Sequence, residues 1–336
     1  MTEKLFLAGD IGGTKTNLAI FSSVQGIRAP LTAVSYKSSD FDDFSLMLRE
    51  FIAGSGLKVK AAAFGVAGPV TGGRAVITKL PWTIDAARLR DEFHIDKVVV
   101  VNDLLATARG ISSLTAAELI TLNSGREQAG APRVVIAPGT GLGESFMIWE
   151  NGAYRPCASE GGHSLFAPAT ALEDELLCYL RRRYTVITND MLCSGRGIPL
   201  LYKFLQQRQP WPTAKESPAI LRAADPAPLI AEAALAEPFS ELCLAVMELF
   251  VSLLAAEAAN LALKVLAAGG VFVGGGIPPR IMPLLSRCFM PAFTGGGVLR
   301  DFLADIPVRV IKNQQTALLG AASLLSGECA EKVSVS

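Results

Sequence analysis

The chain has 336 residues, and its 31 basic and 31 acidic residues give a formal net charge of zero at pH 7. This length predicts about two domains, and the neutral balance with an isoelectric point near 6.8 offers no basic surface for nucleic acid or an anionic membrane. The mean hydropathy is high, at +0.37, but the charge-free apolar stretch at 265–279 is too short and too rich in glycine to span a bilayer. We therefore expect no nucleic acid and no membrane as partner.

The acidic residues near the N-terminus and the spacing of the cysteines indicate where the protein is found and whether it binds a structural metal. Glu3 and Asp10 leave no room for the apolar core of a signal peptide, so we expect a cytoplasmic protein. The six cysteines are 15 or more positions apart and form no CxxC or Cys/His pair at metal spacing. We therefore expect reduced thiols and no structural zinc.

The first half of the chain has the pattern of a mixed sheet. Short apolar runs predict an antiparallel meander at 5–9, 17–21 and 31–36. A helix is predicted over 41–51, with Ser39 or Asp40 as its cap and Gly54 at its end. Continuous apolar strands follow at 61–66 and 98–101, as expected for a sheet covered on both faces.

The second half of the chain again begins with strands around a glycine-rich turn. Strands are predicted at 134–137 and 144–149 around a glycine-rich turn, and the chain is mainly helical over 169–266, with a buried helix at 238–266. The remaining expected elements are a strand at 270–273, a helix after Pro278, a strand at 308–311 and a helix at 315–325. The change of motifs places a domain boundary near residue 108: a small α/β domain, 1–108, joined by the C-terminal helix 312–330, and a large α/β domain, 109–311.

Three glycine-rich turns follow predicted strands, at 9–17, 137–143 and 274–278. Glycines let backbone N–H groups approach an anion, Thr14 and Thr140 add hydroxyl groups, and Asp10 can hold a hydrated magnesium ion. The first turn lacks the spacing of a Walker A loop, and a strand follows it. An ordinary tight turn or a flexible connection is the alternative for such segments.

Taken in order, the segments DIGGTKTN, VVVVNDLLATARG, IAPGTGLG, SEGGHSLFAP and GGVFVGGGIPPR resemble the bacterial glucokinase family. This family belongs to the actin, hexokinase and Hsp70 superfamily of ATPases, and the resemblance covers nearly the whole chain. It implies an α/β, two-lobed actin-like ATPase (ribonuclease H-like) fold with mixed central sheets and an active-site cleft between the lobes. The ROK family of sugar kinases is less similar, because its cysteine-rich zinc motif is missing here.

The resemblance implies ATP-dependent phosphorylation of glucose to glucose 6-phosphate with Mg²⁺, the entry step of glycolysis. Such a transfer needs positioning, charge neutralisation and one group that receives the hydroxyl proton. We predict Asp103 as this base, because it follows a strand where open α/β sheets place their ligands. From the residues alone, Asp103 could equally be the N-cap of the next helix.

The resemblance also implies the binding residues. Glucose would contact Asn102, Glu160, His163 and Asp190. The nucleotide would contact Asp10, Gly12, Gly13, Thr14, Gly139, Thr140, Gly141, Gly274, Gly275 and Gly276, and Asp10 would also hold Mg²⁺, through water. His94, the second histidine, is expected on the surface.

Two positions depart from the family pattern. Asp190 stands where the family has a sugar-binding glutamate, and Lys79 stands where an asparagine is usual in a TNxxW stretch. A kinase for mannose, fructose or an amino sugar therefore remains an alternative, as does a sugar sensor without catalysis. A chaperone-like ATPase or filament subunit is disfavoured by the EGGH segment, and the apolar excess predicts a homodimer.

Overall fold

The computed structural model of the protein describes residues 3–77, 80–208, 220, 222–295 and 297–326. The chain divides into two compact units. The first contains the described residues up to Thr115, the segment Tyr154–Ala158 and the described residues from Asn313 onward. The second contains Ala116–Ala153 and Ser159–Lys312.

Strands predominate up to residue 159, and helices predominate after it. The strands are β1 (Leu5–Ile11), β2 (Lys15–Ser22), β3 (Thr32–Lys37), β4 (Ala61–Val66), β5 (Val70–Thr71), β6 (Arg74–Val76), β7 (Thr83–Asp85), β8 (Lys97–Asn102), β9 (Leu119–Asn123), β10 (Arg133–Pro138), β11 (Leu142–Glu150), β12 (Ala153–Ser159), β13 (Gly270–Val273) and β14 (Val308–Ile311). The helices are α1 (Phe44–Ser55), α2 (Ala86–Phe93), α3 (Asp103–Ile111), α4 (Ala171–Arg181), α5 (Asn189–Leu192), α6 (Ile198–Arg208), α7 (Pro226–Leu235), α8 (Glu241–Val265), α9 (Met282–Thr294), α10 (Arg300–Asp305) and α11 (Thr316–Ser323).

The first unit is built on a five-stranded sheet in the order β3-β2-β1-β4-β8. Strands β1, β2 and β3 pair antiparallel, which confirms the predicted meander, while β1, β4 and β8 pair parallel. A second, three-stranded sheet of β5, β6 and β7 was not expected from the sequence, because its strands are only two or three residues long.

Helix α1 begins later than the sequence predicts. Ser39 and Asp40 belong to a short 3-10 turn, and Asp43 caps the helix by accepting a hydrogen bond from the Ser45 N–H at 2.6 Å. The helix ends at Gly56, whose φ of 64° is left-handed, rather than at Gly54. The predicted cap was wrong because a carboxylate closer to the helix satisfies its first N–H groups.

The second unit is built on a mixed sheet in the order β12-β11-β10-β13-β14-β9. Strands β10, β13 and β14 are parallel, and β11 and β9 pair antiparallel with β10 and β14. The predicted strands at 270–273 and 308–311 have the observed bounds. The last predicted helix is α11, and the residues expected to extend it beyond 326 lie outside the described part of the chain.

Helix α8 is the centre of the larger hydrophobic core. It has 25 residues and is long and apolar enough to cross a membrane, but 72% of its most apolar window is buried inside the structure. Val246, Phe250 and Leu254 are fully buried there, against α6, α7 and α9. An apolar helix covered on nearly all sides is typical of the core of a large globular unit.

Helices α3 and α11 of the first unit touch backbone to backbone. A Cβ atom at Gly320 would overlap the carbonyl oxygen of Ala106, and one at Gly110 would overlap that of Thr316. Only glycine allows this approach at both positions. The contact fixes the position of α3, the helix that starts at Asp103.

Candidate active site

Two carboxylates of the first unit lie at the same edge of its sheet. Asp10 on β1 pairs with Gly65 on β4, which pairs in turn with Val101 on β8. Since neighbouring strands are about 4.8 Å apart, the Cα atoms of Asp10 and Val101 are roughly 10 Å apart. Asp103 follows β8 directly, so both side chains belong to the carboxyl end of the parallel strands, where such sheets bind ligands.

Asn102, and not Asp103, is the N-cap of α3. Its Oδ1 accepts hydrogen bonds from the N–H groups of Leu104, at 2.9 Å, and Leu105, at 3.3 Å. Its Nδ2 donates to the carbonyl oxygen of Gly68 at 3.0 Å. Asp103 is the first helical residue, and its Oδ1 accepts from the Leu104 N–H at 2.9 Å. The capping role that was open to Asp103 therefore belongs to its neighbour.

The turn between β1 and β2 is closed by its own backbone. The Gly12 N–H donates to the carbonyl oxygen of Lys15 at 3.0 Å, and the Ser38 hydroxyl donates to that of Gly12 at 2.8 Å. Gly13 and Thr14 form the tip, and the Thr14 side chain is exposed. An exposed glycine turn with a hydroxyl group is a suitable cradle for an anion.

Asp10 stands at the base of this turn. Asn17 Nδ2 donates to its Oδ2 at 3.3 Å. Burial raises the pKa of Asp10 to about 6, although the hydrogen bond from Asn17 and the charge of Lys15 lower it. A buried carboxylate with a raised pKa favours a cation beside it.

The second unit brings two of the predicted nucleotide segments together. The Gly139 N–H donates to the carbonyl oxygen of Gly141 at 2.8 Å, which closes the turn that contains Thr140. Gly275, with a φ of 87°, lies so close to Pro138 that a Cβ would overlap its carbonyl oxygen. The turns 139–141 and 274–276 are therefore neighbours, and Gly275 is needed for this approach.

Asp190 is joined to the first of these turns. Its Oδ1 accepts from the Leu142 N–H at 2.8 Å, and its Oδ2 accepts from Arg196 Nη2 at 2.8 Å. Arg196 Nε also donates to the carbonyl oxygen of Thr140 at 3.0 Å. The Asp190 side chain is 10% exposed, so this residue, predicted for sugar contact, also braces the glycine turn. Sequence reasoning missed Arg196, because it matches none of the motif positions considered.

Glu160 and His163 flank one short 3-10 turn, Gly161–His163. His163 Nε2 lies 3.9 Å from Glu160 Oε2, and the two side chains are 61% and 67% exposed. The turn contacts β11 closely, because a Cβ at Gly162 would overlap the carbonyl oxygen of Leu142.

A hydrogen bond links this turn to the helix that carries Asp190. Asn189 Nδ2 donates to Ser164 Oγ at 3.1 Å, which joins α5 and its Asp190 to the residue after the turn. The structure therefore gathers three of the four predicted sugar residues in one region of the second unit.

The remaining predicted positions have simpler surroundings. Thr78 and Lys79 lie outside the described residues. Trp82, from the same stretch, is buried, and its indole N–H donates to the carbonyl oxygen of Phe41 at 3.3 Å. His94 is exposed, as predicted, and ends α2 with a φ of 52°. Within the described ranges, no three His, Cys, Asp or Glu residues are grouped so that they could hold a metal ion.

Comparison with known proteins gives one family. The glucokinase family model matches residues 7–328. A glucokinase from Nostoc sp. is 38% identical over 338 residues, which cover 95% of this chain and 98% of that protein. A glucokinase from Synechocystis sp. is 36% identical over 345 residues, with 94% and 96% covered.

Solved structures agree with this match. The glucokinase of an Antarctic psychrotroph superposes with a TM-score of 0.80 at 27% identity, covering 96% of this chain and 98% of that one. A ROK family glucokinase from Streptomyces griseus, solved with glucose and AMPPNP, has a TM-score of 0.63 at 21% identity, with 95% and 98% covered, and shows the shared fold alone. The actin-like ATPase class predicted from the sequence is confirmed. The chain belongs to the glucokinase family.

Proposed function

We propose that this protein transfers the γ-phosphoryl group of ATP to the 6-hydroxyl of glucose. The match to the glucokinase family model over 7–328, which is nearly the whole chain, carries this proposal. The comparisons do not favour another hexose or a sensor without catalysis.

Asp103 is the general base in this proposal. Asn102 takes over the capping of α3, so the Asp103 carboxylate is held at the helix start without being its N-cap. As the 6-hydroxyl oxygen bonds to the γ-phosphorus, the bond from that phosphorus to the bridging oxygen of the β-phosphate breaks and ADP leaves, while the hydroxyl proton passes to a carboxylate oxygen of Asp103. The transferring group needs little covalent help, so placing this base and neutralising the phosphate charge account for most of the catalysis.

The glycine turns are the proposed nucleotide contacts. Gly12, Gly13 and Thr14 form the first of these turns, in which the Gly12 N–H is already bonded to Lys15 and the Thr14 side chain is exposed. In the second unit the turn 139–141 adds the Thr140 hydroxyl, and the turn 274–276 offers backbone alone. Asp10 fits a hydrated Mg²⁺, since burial raises the pKa of its carboxyl group, which favours a further cation beside it, and Mg²⁺ is often held by one or two carboxylates together with substrate phosphates. When bound, this ion would neutralise charge on the phosphates.

Glu160, His163, Asp190 and Asn102 are the proposed sugar contacts. Glu160 and His163 are largely exposed and can reach a ligand without breaking internal hydrogen bonds. Asn102 already uses its carbonyl oxygen and one N–H inside the first unit, so its second N–H is the group left for a sugar hydroxyl.

A substitution at Asp190 tests both its proposed contact with the sugar and its observed bonds to the glycine turn. We expect Asp190→Glu to change the KM for glucose with a smaller change in kcat, because the residue is a binding contact. The longer side chain cannot keep the bonds that Asp190 makes to the Leu142 N–H and to Arg196 in their present geometry, so the KM for ATP should rise about tenfold, as for a lost charge-assisted hydrogen bond. Initial rates with each substrate varied in turn measure both constants.

The exposed Asp174 on α4 supplies the matched control. Asp174→Glu should leave both constants as in the wild type. A higher KM for ATP with an unchanged KM for glucose would assign Asp190 to the nucleotide turn alone, and unchanged constants for every hexose would remove it from the site.

The function itself is tested by a coupled assay for sugar phosphate. Purified protein is given Mg-ATP with glucose, mannose, fructose, glucosamine or N-acetylglucosamine, each beside a reaction without sugar. Glucose should give the largest kcat/KM. If another sugar is preferred, the assignment of glucose as the substrate is wrong. If no sugar gives a product, the assignment as a sugar kinase is wrong. Replacing ATP by ADP or polyphosphate in the same assay identifies the donor.

Two further expectations belong to this proposal. A homodimer would give a light-scattering mass of twice 35.5 kDa. A cytoplasmic enzyme would appear in the soluble cytoplasmic fraction of its own cells.

A further inference from the structure

Two glutamates are buried in the core of the second unit. Glu144 on β11 is 1% exposed and Glu257 on α8 is 2% exposed. Glu257 Oε2 accepts a hydrogen bond from Asn260 Nδ2 at 3.0 Å, and Lys264 Nζ lies 3.8 Å from Glu257 Oε1. Among the described residues, no donor reaches either oxygen of Glu144. Two buried carboxylates with one lysine at this distance are costly to ionise together.

A shared proton resolves this cost. The two carboxyl groups are near enough for each to influence the pKa of the other. Burial, and then the charge of Glu257, raises the pKa of Glu144 to about 8, and burial raises that of Glu257. Glu144 is therefore the partner that holds a proton at neutral pH.

The Glu144 carboxyl also lies under the turn that holds two of the proposed sugar residues. A Cβ at Gly161 would overlap Glu144 Oε2, just as one at Gly162 would overlap the backbone of β11 at Leu142. The turn has no other layer between it and the acid pair at this point. A change in the charge or hydration of Glu144 must therefore act directly on the Gly161 backbone.

Among the described residues, the other titratable groups near the pair are Cys193, Asp190, Glu173 and Lys264. Cys193 is buried, and burial together with the charges of Glu257, Glu144, Asp190 and Glu173 raises the pKa of its thiol well above the usual value. Asp190 is paired with Arg196, and Glu173 Oε2 accepts from the Ala169 N–H at 2.6 Å. Lys264 is the cation near the pair, and it favours the ionised form of both glutamates.

We propose that Glu144, kept neutral by a proton shared with Glu257, is a positioning residue that holds the Gly161–His163 turn in place, and with it Glu160 and His163. The role in sugar binding rests on the proposed function, whereas the effect on the turn does not. Loss of the shared proton places a second charge in the core, which draws in water and displaces the turn.

The two histidines of the chain provide a test that needs no substrate. NMR spectra of the histidine ring protons, recorded from about pH 6 to about pH 10, report on His163 at the turn and on His94 in the other unit. The His163 signal should show an inflection near pH 8 that His94 lacks. Glu144→Gln, which has nearly the same shape but no proton to lose, should remove this inflection.

Glu257→Gln and Glu150→Gln complete the series. Removing the Glu257 charge should move the His163 inflection to lower pH, because that charge raises the pKa of Glu144. Glu150 is exposed on the same strand, and its change should leave the inflection in place. An inflection that survives in Glu144→Gln, or none in the wild type, would overturn the proposal.

Glucose affinity measured by calorimetry without ATP adds the functional readout. The wild-type Kd for glucose should rise about tenfold between about pH 7 and about pH 9, because the fraction of protein with Glu144 protonated falls about tenfold for each pH unit above the pKa. The Kd of Glu144→Gln should not change over this range. Equal pH profiles in the two proteins would contradict a role in sugar binding. If the wild type makes no glucose 6-phosphate, the proposed function fails, and the histidine spectra still decide the role of Glu144.

Stability should depend on pH in the same way. The folded state holds the Glu144 proton more tightly than the unfolded chain, whose carboxyl has the ordinary pKa of 4.5. The resulting stabilisation is complete below pH 4.5 and is lost as the pH rises through about 8. Denaturant midpoints of the wild type should therefore fall relative to Glu144→Gln over this range, and a constant difference would contradict the raised pKa.

Discussion

Replacing Asp103 by asparagine should lower kcat by about 10² to 10⁴, the usual contribution of a general base. Asparagine keeps the shape of the side chain but cannot take the proton of the 6-hydroxyl. It should not unfold α3, because Asn102 supplies the N-cap through its bonds to Leu104 and Leu105. The KM for ATP and the Kd for glucose should stay near their wild-type values.

The measurement is kcat by a coupled assay together with glucose binding by calorimetry. Asp91 provides the matched control, since its side chain is 72% exposed on α2, and Asp91→Asn should retain full activity. If Asp103→Asn has the wild-type rate, Asp103 is not the general base. A large loss of glucose affinity would instead make Asp103 a binding residue.

Local pattern was enough to predict most strands and the positions of three glycine-rich turns between elements. Strands such as β13 and β14 are short runs of buried apolar residues between Gly and Pro, and their sequence bounds match the structure. Asp10 and Asp103 could also be placed, because the end of a parallel strand defines an edge of the sheet. These features depend on neighbours in the chain.

The pairs that organise the site could not be predicted, because their members are distant in sequence. Asp190 bonds to a backbone N–H 48 residues away, and Glu144 meets Glu257 from a strand and a helix that share no motif. Their partners follow from packing, which a single sequence does not display. The N-cap of α3 could not be chosen from the sequence for a different reason. Asn102 and Asp103 are neighbours and both residue types suit an N-cap, so only the hydrogen bonds of the folded protein distinguish them.

Gly320→Ala should destabilise the first unit by about 3 kcal/mol or more, at the upper end of the usual cost of overpacking. The added Cβ would overlap the carbonyl oxygen of Ala106, which is backbone in the middle of α3 and cannot rotate away. Either α11 or α3 must move. Since α3 begins at Asp103, a surviving fold should also lose kcat.

Gly54→Ala is the same change on a helix with open space around it, because no described atom outside the adjoining residues and the helix's own backbone lies within 4 Å of the Cβ position at Gly54. Alanine there should stabilise the protein by about 0.5–1 kcal/mol through helix propensity. Urea denaturation followed by circular dichroism compares both variants with the wild type, and the midpoint should fall for Gly320→Ala and rise slightly for Gly54→Ala. Equal midpoints would mean that α3 and α11 can separate at little cost. The position of Asp103 would then depend on its strand, β8, rather than on the contact between the two helices.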